Sequence, residues 1–148
     1  MFKHILVATD GSKLGDKAIS AALKLAATCG KAKVTALMVV PDYSTQQFTE
    51  AVFTNGPSPK QMRQRLAAEG ARTLDAALAK HASAGYKVEP MVAISDYPYD
   101  QIVEHAKKLK CDLIVMASRG RGAVKSALLG SQTTHVLSLA SVPVLVVR

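Results

Sequence analysis

Five short apolar runs rich in β-branched residues alternate with stretches of helical period, and this alternation constrains the fold most tightly. Lys3 to Thr9 (KHILVAT) reads as a buried strand ending in the sharp turn Asp10-Gly11-Ser12. A helix then begins between Ser12 and Asp16. It carries Ile19, Ala22, Leu23 and Ala26 on one face and stops at Gly30. Val34 to Val40 is the second buried strand. Pro41 to Ser58, with isolated Phe48, Val52 and Phe53, reads as a long loop. Ser58-Pro59 supplies the N-cap and first turn of a second helix, striped by Met62, Leu66, Leu74 and Leu78 and stopping at Gly85. Arg63, Arg65, Glu69, Arg72 and Lys80 lie off that stripe, as a solvated face. Val88 to Ile94 is a third strand. Ser95 to Pro98 caps a third helix, with Ile102, Val103, Ala106 and Leu109 inward. Leu113 to Ala117 is a fourth strand, Ser131 to Leu139 a fourth helix, and Pro143 to Val147 a last strand.

This pattern predicts one α/β domain over residues 1–148, a mostly parallel five-stranded sheet with helices on both faces. Two strand orders compete, 2-1-3-4-5 and 3-2-1-4-5. Proline cannot donate to a ladder and is tolerated at sheet edges, not in central strands. Pro90 lies inside strand three and Pro143 at the start of strand five. Only the order 3-2-1-4-5 places both at edges.

In an open α/β sheet, ligands bind beyond the strands' C-terminal ends where the order reverses, here between strands one and four. Strand one ends at Ala8-Thr9-Asp10. Strand four leads into Ser118-Arg119-Gly120-Arg121-Gly122 and on to Gly130-Ser131. Glycines, arginines and a helix start are the parts of an anion cradle, because backbone amides and helix N-termini carry partial positive charge. Arg119, Arg121 and Lys125 would add charge.

The net charge of +8 suits a polyanionic ligand. Trp is absent and Phe and Tyr are few, so no base-stacking pattern appears, which argues against nucleic acid. No apolar run is long enough to span a bilayer, and Ile5 to Ala8 is too short for a signal core, which predicts a cytoplasmic protein. Cys29 and Cys111 read as free thiols in a reducing compartment, and no Cys/His cluster has zinc spacing. His4, His81, His105 and His135 do not converge on a site.

The opening ILVATDGS, the stretch IVMASRGRG, LLGS before the fourth helix and the closing PVLVV together resemble the universal stress protein family, in its nucleotide-binding branch, over essentially the whole chain. The family motif is Gly, two residues, Gly, nine residues, then Gly with Ser or Thr. Gly120, Arg121 to Leu129 and Gly130-Ser131 match it, while Ala117 stands at the first glycine. The resemblance implies a Rossmann-like, adenine nucleotide alpha hydrolase-like fold that binds ATP with Mg2+. Ala8, Thr9 and Asp10 would lie near adenine and ribose, Val39 would flank the base, and Met116 and Ala117 would floor the pocket. Gly120, Gly130, Ser131 and Thr133 would hold ribose and phosphates, with Gln132 adding a backbone contact. Strand five, Val142 to Val147, is an apolar edge that invites pairing with a second copy, and the resemblance points to the same homodimer. The expected signal is ligand-dependent ordering of the loop from Ser118 to Gly130, with Pro41 to Ser58. An alanine at 117 has one of two effects. It costs about 1–2 kcal/mol if positive φ is required there, or it merely narrows the pocket by a methyl group.

Catalysis has little support in the sequence. No GxxxxGKS/T loop follows strand one, and no Ser/His/Asp spacing is present. A phosphoacceptor receiver would need an acidic pair where only Asp10 stands, and a lysine loop after the last strand. Ser95-Asp96 is its one matching feature. A slow ATPase relying on Asp10 and a nucleotide-free partner-binding scaffold remain the alternatives.

Overall fold

The computed structural model describes residues 1–44, 52, 54–82, 85–122 and 128–148. Its elements are β1 (His4–Ala8), α1 (Lys13–Thr28), β2 (Lys33–Val40), α2 (Pro59–Ala79), β3 (Val88–Ile94), α3 (Pro98–Lys108), β4 (Leu113–Ala117), α4 (Ser131–Leu139) and β5 (Val144–Val147). The five strands form one parallel sheet in the order β3-β2-β1-β4-β5. Both proline-bearing segments therefore lie at edges. Pro90 is exposed on β3, opposite Ala36, and Pro143 precedes β5 while its carbonyl accepts the Ile114 amide at 3.0 Å.

Two apolar layers cover the sheet. On one face Ile19, Leu23 and Ala26 of α1 and Leu74 and Ala77 of α2 pack on Ile5, Val7, Val34 and Val115. On the other, Ile102 and Ala106 of α3 and Val136 of α4 pack on Leu6, Leu37, Ile114 and Met116. The chain steps one way from β1 to β3 and the other way from β4 to β5. Crossovers of a single hand must then put α1 and α2 opposite α3 and α4.

Local chemistry sets most of the ends. Ser12 caps α1, its Oγ accepting the Gly15 amide at 3.1 Å, and Gly30 at φ +71° closes it. Ser58 and Gln61 form a reciprocal capping box on α2. Two ends differ from expectation. Helix α2 stops at Ala79, before Gly85, because the His81 amide turns back to the Leu78 carbonyl in a tighter i→i+3 bond. Ser95 does not cap α3. Its Oγ accepts the Tyr97 amide at 3.1 Å in a local turn, and Tyr97 is the N-cap residue, with no side-chain cap bond of its own. Of the long segment from Pro41 to Ser58, residues 45–51 and 53 lie outside the described residues, Phe48 and Phe53 among them. Arg63, Arg65, Glu69, Arg72 and Lys80 are exposed, as their positions off the stripe require.

Candidate functional site

Register brings the two loops together. Ala8 pairs with Met116, so β1 and β4 end side by side and their following residues meet over the sheet's C-terminal edge. Asp10 joins them. Its Oδ1 accepts the Ser12 amide at 3.0 Å and its Oδ2 accepts the Arg121 amide at 2.6 Å, across 111 residues of sequence. Burial raises the carboxyl's pKa, but the hydroxyl and amide of Ser12 and the amide of Arg121 outweigh it and hold Asp10 below the usual carboxylate range.

This packing leaves little room for side chains. A Cβ on Gly120 would stand 3.1 Å from Asp10 Oδ2, and one on Gly15 would stand 2.5 Å from the Thr9 hydroxyl. Thr9 is buried and its Oγ1 accepts the Gly11 amide at 3.2 Å. Gly11 needs its glycine, with φ at +75° beneath Thr73 of α2 and the Arg121 guanidinium. That guanidinium donates to the Gly11 carbonyl at 3.4 Å, so Arg121 spans the gap by both backbone and side chain. Arg119 is half-buried in the same loop, and Lys125 lies outside the described residues.

Beneath the loops, Ala8 and Met116 are buried and Val39 is half-buried on the α3–α4 side of the sheet. Ala117, half-buried, ends β4. Positive φ among the described non-glycine residues occurs at Lys31, Asn55 and Lys110, not at Ala117. The motif's missing glycine therefore costs no backbone strain here, and only its methyl group is at issue.

The far wall is the start of α4. Gly130 is its N-cap, with φ −74° and no capping side chain, and its amide donates to the Ser118 carbonyl at 2.7 Å. The amides of Ser131, Gln132 and Thr133 have no intrahelical acceptor and, among the described residues, no side-chain cap. Ser131 is exposed at this turn. Thr133 is buried and its hydroxyl donates to the carbonyls of Ala117 (3.0 Å) and Ser118 (3.3 Å), tying α4 to the end of β4. Gln132 turns its side chain away to α3, where Oε1 accepts the Tyr99 amide at 3.0 Å and caps the helix that Ser95 leaves bare.

Sequence reasoning missed Ser118. It is buried, its amide donates to the Val147 carbonyl at 2.7 Å, and its own carbonyl receives Gly130 and Thr133. Its position between the two motif positions at 117 and 120 was the available signal. Asp96, the receiver-like acid, accepts the Asp42 amide at 2.9 Å and so closes the β2 end against the β3 end. No group of three or more His, Cys, Asp or Glu able to hold a metal occurs among the described residues.

The arrangement sets a carboxylate on one side, uncapped helix amides on the other and small residues between, and such amides could receive an anion. Comparison with known proteins agrees with this architecture. The family model of the universal stress protein family matches residues 1–148. Universal stress protein YxiE of Bacillus subtilis (strain 168) is 35% identical over 150 residues, covering all of both chains. The solved structure of MJ0577 of Methanocaldococcus jannaschii is similar at a TM-score of 0.78 and 26% identity, covering 99% of this chain and 96% of that one. A universal stress protein solved in complex with cAMP shares the fold at a TM-score of 0.73 and 22% identity, over 99% of this chain and 97% of that one. On its sequence, its strand order and these likenesses, the chain belongs to the universal stress protein family.

Proposed function

We propose that this protein binds an adenine nucleotide, ATP with Mg2+, in the crevice between β1 and β4 and acts as a cytoplasmic stress-response factor. The observation that carries the reading is the uncapped first turn of α4 facing a loop held by Asp10. Three free amides and Gly130 would receive phosphates, Gly120 would let the backbone approach, and Asp10, Ala8 and Thr9 would border ribose and base. Val39, Met116 and Ala117 would lie under the base. Magnesium would ride on the nucleotide's own phosphates, as the described residues offer no cluster for it. The cAMP complex of a protein of the same fold supports the ligand class.

Binding fits the site better than turnover. Asp10 is held ionised by amide donors, which makes it a weak proton acceptor, and it has no histidine beside it among its bonded partners. The signal would be a change in the loop from Ser118 to Gly130, read by a partner. The test is mass analysis of nucleotide released from freshly purified, denatured protein, backed by calorimetry with ATP and magnesium. Adenine nucleotide in the released fraction, or saturable heat, is expected. Protein that emerges empty and gives no heat at millimolar ATP sinks the reading and favours a nucleotide-free scaffold.

A further inference from the structure

The opposite end of the sheet carries a second charged feature. Lys3, Lys31, Lys87, Lys107 and Lys110 are all exposed there, and among the described residues none has a carboxylate within ion-pair distance. They come from four separate stretches of sequence, which is why the chain read linearly shows no basic block. Register gathers them: His4 pairs with Lys33, Val34 with Val88 and Ile5 with Leu113, so Lys87, Lys31, Lys3 and Lys110 stand just before β3, β2, β1 and β4. Lys107 lies in the last turn of α3, its carbonyl bonded to the Lys110 amide. Four adjacent strands at about 4.8 Å spacing make this a row about 15 Å long.

Helix termini do not account for the row. All four helices run back against the strands they precede and end near this edge, contributing about half a negative charge each. Five unpaired lysines exceed that. The carboxylate of Asp112 beside them already accepts the amides of Lys3 (2.8 Å) and His4 (3.0 Å). Lys33 and Lys108 are neutralised by Glu89 and Glu104. Backbone conformation adds a second observation. Lys31 and Lys110 sit at φ +66° and +53°, just after α1 and α3, where glycine is the unstrained choice. The chain keeps a lysine at two positions where any side chain costs stability.

We propose that this edge docks on the phosphate backbone of double-stranded nucleic acid, without reading its sequence. A line of charges fits a linear polyanion. Every cation in it is a lysine, a point charge rather than the planar fork that arginine presents to base edges. The aromatics that flank the row, Phe2 and Tyr86, are packed against the core rather than offered to single-stranded bases, so the duplex, with its bases inside, is the matching form.

The test is fluorescence anisotropy of a short labelled duplex titrated with the full-length protein from about 50 mM to about 200 mM salt. Five phosphate contacts predict a log–log salt slope of about −4.5 and a loss of affinity of order 10²–10³ over that range. A second duplex of unrelated sequence should bind equally well. The decisive variant is Lys31→Gly with Lys110→Gly, which relieves the left-handed strain. Its melting temperature should rise while the slope falls to about −2.7. A rise in melting temperature with an unchanged slope overturns the proposal, as does absence of binding at the lowest salt. Loss of binding on Lys60→Gln with Arg65→Gln, on α2, would place the surface elsewhere. Co-sedimentation with phosphatidylglycerol vesicles and no response to the duplex would assign the row to a membrane surface instead.

Discussion

Asp10 is a single carboxylate that two loops depend on, and its titration makes that measurable. Its folded pKa lies below the ordinary value of 3.8, so the stability it contributes is complete above that value and is lost as pH falls through the lower, folded pKa. Asp10→Asn should cost about 1–2 kcal/mol at neutral pH, the scale of hydrogen bonds to a charged group at a half-exposed site. The gap between variant and parent in denaturant melts should narrow as pH falls below 3.8 and close once it is below the folded pKa. A gap that stays constant down to acid unfolding would show that the carboxylate's charge is not what holds the loops. Ala117 invites a different experiment. Since its backbone is unstrained, Ala117→Gly should tighten ATP binding by calorimetry through added room, while costing about 0.5–1 kcal/mol in strand entropy. Affinity that fails to rise would mean that the methyl group does not face the ligand.

Among the elements, α3 and α4 are coupled through Gln132 more directly than through their apolar contacts alone. Gln132→Ala should remove about 1 kcal/mol from thermal stability, the value of a helix cap, although residue 132 lies outside the helix it caps. Hydrogen exchange should localise the loss to the first turn of α3. Exchange that quickens in α4 alone would contradict the coupling. The same contact shows where sequence reading ends. Strand and helix identities were legible because apolar periodicity is local, and the strand order was legible because two prolines exclude central positions. The Gln132–Tyr99 cap, the role of Ser118 and the end of α2 at Ala79 were not. Each is fixed by a partner that only the folded sheet brings near, or by a turn choice among small residues of nearly equal energy. At the candidate site, glycine spacing marked the loop, but nothing in the spacing showed that Thr133 would turn its hydroxyl toward β4 or that Asp10 would hold Arg121.

At the scale of the molecule, β5 leaves an open sheet edge with Leu145 exposed on it. We propose that a second copy covers it, its β5 pairing antiparallel about a two-fold axis. Val144→Lys with Val146→Lys should then give a monomer or an insoluble protein. An unchanged dimer mass by light scattering would rule the pairing out.

The other edge behaves differently. On β3, Pro90 has no amide proton to offer, and the exposed Glu89 beside it carries charge. A sheet with one receptive border and one blunted border has an assembly valence of one. If β5 pairs as proposed, edge-to-edge growth ends at two copies. Glu89→Val with Pro90→Val would raise that valence to two, and particles larger than a dimer should appear in light scattering. If the doubly altered protein keeps its original size, termination resides elsewhere than in that proline.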